Sequence, residues 1–138
     1  MMVSTKGRYA LRVLIDLAQH TDEEYVSLKG IAERQDVSIK YLESIVATLS
    51  KADFVESLRG KNGGYRLKNS PDKYTVGSVL RLTEGTLAPV ACLENCSSDE
   101  CSRLNQCLTL PLWHKLDEII NEYLESVTIA DLINQSIK

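Results

Sequence analysis

Cysteine is missing from residues 1–91 and 108–138 of this chain. All four cysteines, Cys92, Cys96, Cys101 and Cys107, fall within one stretch, VACLENCSSDECSRLNQC. The apolar content of 43% supplies a core without covalent staples. Long apolar runs are missing too, and nothing approaches the roughly 18 residues of a membrane span. The N-terminal MMVSTKGRYALRVLIDLAQ has no signal-peptide pattern, because Arg12 and Asp16 interrupt it and no small-residue cleavage site follows. The expected location is the cytoplasm. Thiols stay reduced there, so clustered cysteines read as metal-binding or redox-active before they read as structural disulfides. Histidine is scarce: His20 and His114 are the only two, and neither stands where a ligand is expected. No nucleophile–base constellation, phosphate-cradling loop, internal repeat or low-complexity tract is visible, which points away from an enzyme.

What is present is unevenly spread. The 138 residues suit one domain, or one domain with a long appendage. Taken as a sum, the net charge of −3 argues against a nucleic-acid partner. Residues 1–70, however, carry 11 Lys and Arg against 9 Asp and Glu, and residues 71–138 carry 5 against 10. Arg59, Lys61, Arg66 and Lys68 lie in a segment that holds no acid. The local field governs binding more than the sum does.

Periodicity predicts a mainly α chain with one small β-hairpin. Tyr9, Ala10, Val13, Leu14, Leu17 and Ala18 mark an amphipathic helix over residues 5–20, capped by Ser4 or Thr5. Ser27 caps a short helix from Leu28 to Gln35, and Asp36-Val37 forms a tight turn. Ser38 then caps a helix to about Lys51 with Leu42, Ile45, Val46 and Leu49 inward. Phe54–Leu58 and Tyr65–Lys68 read as paired strands around the turn-rich Arg59–Gly64. Thr75 caps a helix to about Glu84, and Gly85 to Gln106 reads as irregular. A long helix from about Thr109 to Val127 tolerates Pro111 in its first turn. It carries Leu112, Trp113, Leu116, Ile119, Ile120, Tyr123, Leu124 and Val127. Thr128 and Asp131 resemble a capping box for a last helix with Ile129, Leu132, Ile133 and Ile137.

Helix, short helix, turn, helix and basic hairpin follow one another in the order of a winged helix-turn-helix. Its third helix is the candidate for the major groove. Ser38, Lys40, Tyr41 and Glu43 occupy the first turns of that helix, where base edges and phosphates are met. Glu43 can accept from a cytosine amino group but repels phosphate, so it suggests discrimination more than affinity. Arg59 and Lys61 on the wing suit the backbone or the minor groove, and Gly63 and Gly64 let the wing backbone come close to DNA. Each feature alone is commonplace: a capping serine, a solvated basic turn, an amphipathic helix pair. Their order and spacing together point to duplex DNA.

Three segments carry a resemblance. STKGRYALRVLIDLA, VSIKYLESIVATLSKADFVESLRGKNGGYRL and the cysteine loop followed by LPLW resemble the bacterial IscR/CymR/NsrR family of winged-helix regulators. The likeness covers nearly the whole chain, and TKGRYA is closest to the IscR and CymR branches. The resemblance implies a homodimer paired through the long helix and a pseudo-palindromic operator. It places Ser38, Lys40, Tyr41, Glu43 and Arg59 on the DNA-contacting surface. In the IscR branch three cysteines and a histidine hold a two-iron, two-sulfide cluster. Cys92, Cys101 and Cys107 match the loop here, but Leu110 stands at the histidine position. Cys96 is the substitute, giving a possible all-cysteine site.

The expected organisation is a DNA-binding domain over residues 1–84, a cysteine-rich cofactor loop over 85–107, and a dimerisation helix with a C-terminal helix over 108–138. The expected function is a transcription regulator switched by an iron–sulfur cluster and sensing iron–sulfur, redox or cysteine status. Zinc, or a thiol switch without metal, is the alternative. A small iron–sulfur electron carrier would leave the basic wing unexplained.

Overall fold

The computed structural model describes residues 3–94 and 103–137. Seven helices and one hairpin make up the described chain. They are α1 (Thr5–Gln19), α2 (Leu28–Gln35), α3 (Ile39–Lys51), β1 (Val55–Leu58), β2 (Gly64–Leu67), α4 (Val76–Glu84), α5 (Ala91–Glu94), α6 (Leu110–Ser126) and α7 (Ile129–Ile133). Single 3-10 turns occupy Pro71–Lys73 and Leu104–Gln106. The fold is the winged helix-turn-helix expected, with a long helix following it.

Local chemistry sets the helix starts. Ser4, Ser27, Ser38 and Thr75 each sit in extended backbone, and each hydroxyl accepts from the N–H three residues on. Such caps contribute about 1 kcal/mol apiece. Thr128 and Asp131 form a reciprocal capping box on α7. Asp36, between α2 and α3, has φ 53° and ψ 52°, a left-handed turn that Asp tolerates better than most residues.

The main core gathers Ala10, Val13, Leu14 and Leu17 of α1 against Ile31 of α2 and Leu42, Ile45, Val46 and Leu49 of α3. Ile129 of α7 is fully buried in that same core. A smaller cluster joins Val76 and Leu80 of α4 to Leu87 and Val127, with Ile120 and Leu124 of α6 alongside. The chain thus returns to its own beginning. Val76 donates to the Val127 carbonyl at 2.8 Å, and Ile129 donates to the Tyr74 carbonyl at 2.9 Å.

β1 and β2 pair antiparallel, with Glu56 opposite Arg66 and Leu58 opposite Gly64. A third stretch joins them at the root. Val26 and Tyr65 exchange two backbone hydrogen bonds, both 2.8 Å.

Two expectations need correction. The stretch from Gly85 to Gln106 is not wholly irregular: α5 and the 3-10 turn at Leu104–Gln106 interrupt it. Both are single turns, too short to show a periodicity. The last helix stops at Ile133, and Gln135 takes φ 56°, so Ile137 lies beyond it and is exposed.

Candidate nucleic-acid interface and cysteine site

The inward stripe of α3 is fully buried, which turns Lys40, Glu43, Ser44 and Ala47 to solvent. The Ser38 hydroxyl accepts from the Tyr41 N–H at 3.2 Å, so it fixes the helix start. Tyr41 is half-buried, and its ring meets Tyr9 edge-on with centroids 6.0 Å apart. The Arg12 guanidinium lies over that Tyr9 ring at 4.6 Å. Tyr41 therefore ties α3 to α1. Lys40 and Glu43 are exposed and make no ion pair among the described residues.

The hairpin sorts its cations. Arg66 pairs with Glu56 across the strands at 3.0 Å and lies 4.6 Å from the Tyr25 ring centroid. The hydrogen bond it donates to Glu56 pushes the Arg66 pKa still higher. Lys68 pairs with Asp53 at 3.3 Å. Arg59 and Lys61, at the turn, are exposed and make no ion pair among the described residues. The segment without acids is thus neutralised on its strands by acids from before the turn. Its tip keeps its positive charge.

The three hairpin glycines serve different needs. Gly60 takes φ 114° in open space, a left-handed backbone that glycine adopts freely. A Cβ on Gly63 would strike the Leu58 carbonyl oxygen, and one on Gly64 would strike that of Val26. Gly63 and Gly64 thus have a reason inside the protein: they let the turn fold over and let the hairpin root reach the α1–α2 connector.

The scaffold behind α3 rests on a buried carboxylate that sequence reading did not single out. Asp16 on α1 is 1% exposed. Arg34 donates to it twice, at 3.0 and 2.7 Å, and Gln35 once, at 2.9 Å. Burial pushes its pKa up, but the hydrogen bonds from Arg34 and Gln35 outweigh it and hold the carboxyl below its ordinary value. Arg12 adds bonds to the Gln35 side chain and carbonyl. The signal available in sequence was an acid on the apolar stripe of an amphipathic helix. His20, the C-cap of α1, places Nδ1 2.7 Å from the Asp16 carbonyl oxygen, so its role is local.

Of the four cysteines, Cys92 lies in α5 and Cys107 lies just before α6, both half-buried. Cys96 and Cys101 lie outside the described residues. Among the described residues, no three His, Cys, Asp or Glu side chains converge as metal ligands. The Cys107 sulfur is 3.3 Å from the Thr109 hydroxyl. That hydroxyl lowers the thiol pKa first, helped by the backbone N–H groups of Thr109 and Leu110 and by the charge of Arg103. Cys107 is therefore biased toward the thiolate that a metal or cluster requires, and the donor chemistry fits such a group. Leu110, at the histidine position of the related loop, opens α6.

α6 shows two apolar faces. Trp113, Ile120 and Leu124 are half-buried and Val127 is buried. Leu112, Leu116, Ile119 and Tyr123 stay exposed, by 58%, 37%, 50% and 45%. Their steps of four, three and four residues are those of a coiled-coil seam. Arg81 of α4 grips the other side, bonding Glu125 and, at 2.8 Å, Asn121. No helix among the described residues is long and apolar enough to cross a membrane.

Comparison with known proteins agrees with this architecture. The family model for Rrf2, an iron-dependent transcriptional regulator, matches residues 3–135. Protein rrf2 of Nitratidesulfovibrio vulgaris is 38% identical over 99% of this chain and 89% of its own. The structure of CymR, the global cysteine regulator of B. subtilis, superposes with a TM-score of 0.79 at 38% identity, over 98% of both chains. T. potens IscR superposes at 0.76 with 40% identity, over 99% of this chain and 88% of its own. These relatives regulate transcription and are not enzymes. With a family match across nearly its whole length and the winged helix-turn-helix in place, the chain belongs to the Rrf2 family of transcriptional regulators.

Proposed function

We propose that this chain acts as a homodimer that binds pseudo-palindromic duplex DNA through α3 and the hairpin, under the control of an iron–sulfur cluster held by Cys92, Cys96, Cys101 and Cys107. The observation that carries the DNA reading is the sorting of charge on the hairpin. Arg66 and Lys68 are spent on Glu56 and Asp53, while Arg59 and Lys61 at the tip are left for phosphate. Lys40 and Glu43 on the solvent side of α3 supply a phosphate contact and a base contact. The exposed seam of α6 suits a second copy of the chain, which would set two recognition helices one helical turn of DNA apart.

A cluster on this loop would supply a redox-sensitive and iron-sensitive centre. The chain's own part is mechanical. Thiols in α5 and at the start of α6 converge only if the segment between them is ordered. α6 then carries that order to Arg81 and α4, and α4 packs on α1 behind the recognition helix. The DNA-binding domain would span residues 1–84, the cofactor loop 85–107 and the dimerisation segment 108–138. A metal-free thiol switch, or zinc, draws support from the same depressed pKa of Cys107.

Anaerobic purification followed by a visible spectrum and iron, sulfide and zinc assays separates these readings. The expected protein is coloured, with iron and sulfide in near-equal amounts. A colourless, iron-free protein that binds DNA normally would sink the cluster. For DNA, log affinity should fall linearly with log salt. Arg59→Ala should weaken binding about tenfold and reduce that slope by about one.

A further inference from the structure

We infer that Ile39, the first residue of α3, reads the methyl group of a thymine in the operator. The inference rests on the DNA-binding role proposed above. Ile39 is 46% exposed, although α3 buries Leu42, Ile45, Val46 and Leu49 completely or nearly so. It belongs to neither core cluster. A β-branched residue is also a poor choice for an exposed helical position. Nor is it part of the exposed apolar seam, whose members lie on α6.

Its surroundings define what would cover it. Ser38 and Lys40 flank it in sequence, and Glu43 stands one turn on, at the i+4 position of the same side of the helix; all three are exposed. An apolar side chain set among polar ones at the tip of a recognition helix has one apolar partner on the base edges of the major groove, the thymine C5-methyl. A helix rises about 6 Å over four residues, which is less than two base-pair steps of 3.4 Å. The thymine therefore lies within two base pairs of the pair that Glu43 contacts.

The test uses the full-length protein. Its operator is selected from a random duplex pool, and each thymine of a half-site is then replaced singly by deoxyuridine, which removes only the methyl. Wild-type affinity should fall about fourfold at one thymine per half-site, as expected for one buried methyl. Ile39→Ala should bind the unmodified operator about fourfold more weakly and lose no more on that replacement. Ile39→Val should keep the sensitivity. Glu43→Gln should relax the choice of base within two pairs of the same thymine. If no thymine is sensitive, or if Ile39→Ala keeps the wild-type pattern, the inference is overturned while DNA binding stands. If the wild-type chain selects no sequence at all, the DNA-binding reading itself fails and this inference goes with it.

Discussion

A carboxylate with almost no contact with water is held by two hydrogen bonds from Arg34 and one from Gln35. Asp16 thereby locks α1 to α2 and fixes the platform on which α3 sits. Removing it leaves Arg34 without its counter-charge, although Arg34 is partly exposed and can recover water. Asp16→Ala should lower unfolding free energy by about 3 kcal/mol at neutral pH, measured by urea titration. The sign of its pH dependence follows from linkage. The folded chain holds this carboxyl below its ordinary 3.8, so the unfolded chain takes up the proton first as pH falls. The contribution is complete above that ordinary value and is lost as pH drops through the lower folded value. Wild-type stability should therefore fall more steeply than that of Asp16→Asn below about pH 4. Gly64 makes a second residue-scale case. A methyl there would meet the Val26 carbonyl and break the paired bonds between Val26 and Tyr65. Gly64→Ala should cost about 2 kcal/mol, seen as a lowered Tm.

Among the elements, α6 is the one with divided loyalties. Its half-buried face packs on α4, and its other face repeats leucine, leucine, isoleucine and tyrosine in the open. Ile119→Asp should leave helical content nearly unchanged, because Ile119 lies in neither core cluster of the chain. It should convert the proposed dimer to a monomer in sedimentation and abolish operator binding at nanomolar protein. A drop in Tm with the dimer intact would contradict the proposed pairing. Sequence reading found this helix and its apolar positions but not their division. Periodicity shows that a helix has apolar faces; it cannot show which face its own domain covers. The helix starts were legible because a capping hydroxyl acts within three residues of itself. The turn between α2 and α3 was legible for the same local reason. The link from Arg34 to Asp16 was not, because it joins side chains 18 residues apart in sequence. Nor could the neutralised strands of the hairpin be read, since Glu56 and Asp53 precede the turn and only register sets them opposite Arg66 and beside Lys68. The four cysteines were plain in sequence, but the Thr109 hydroxyl beside Cys107 was not.

At the scale of the whole molecule the chain closes on itself. Ile129 fills the core that α1, α2 and α3 begin, and Val127 fills the smaller one beside α4. A fragment ending at Glu84 would therefore carry every candidate DNA contact yet leave that core open. Ile129→Ala should cost about 3 kcal/mol. Deleting residues 127–138 should abolish cooperative unfolding, which calorimetry would report as a lost transition. A truncated chain that still melts sharply would refute this closure. The closure also has a consequence in time. Ribosomes add about 5–20 residues per second, so α1 to α3 are made several seconds before α7 exists. The core they share waits for α7 to be made, and pairings so distant in sequence form slowly. A nascent chain that has not yet extruded α7 therefore carries α3 on a core that still lacks Ile129.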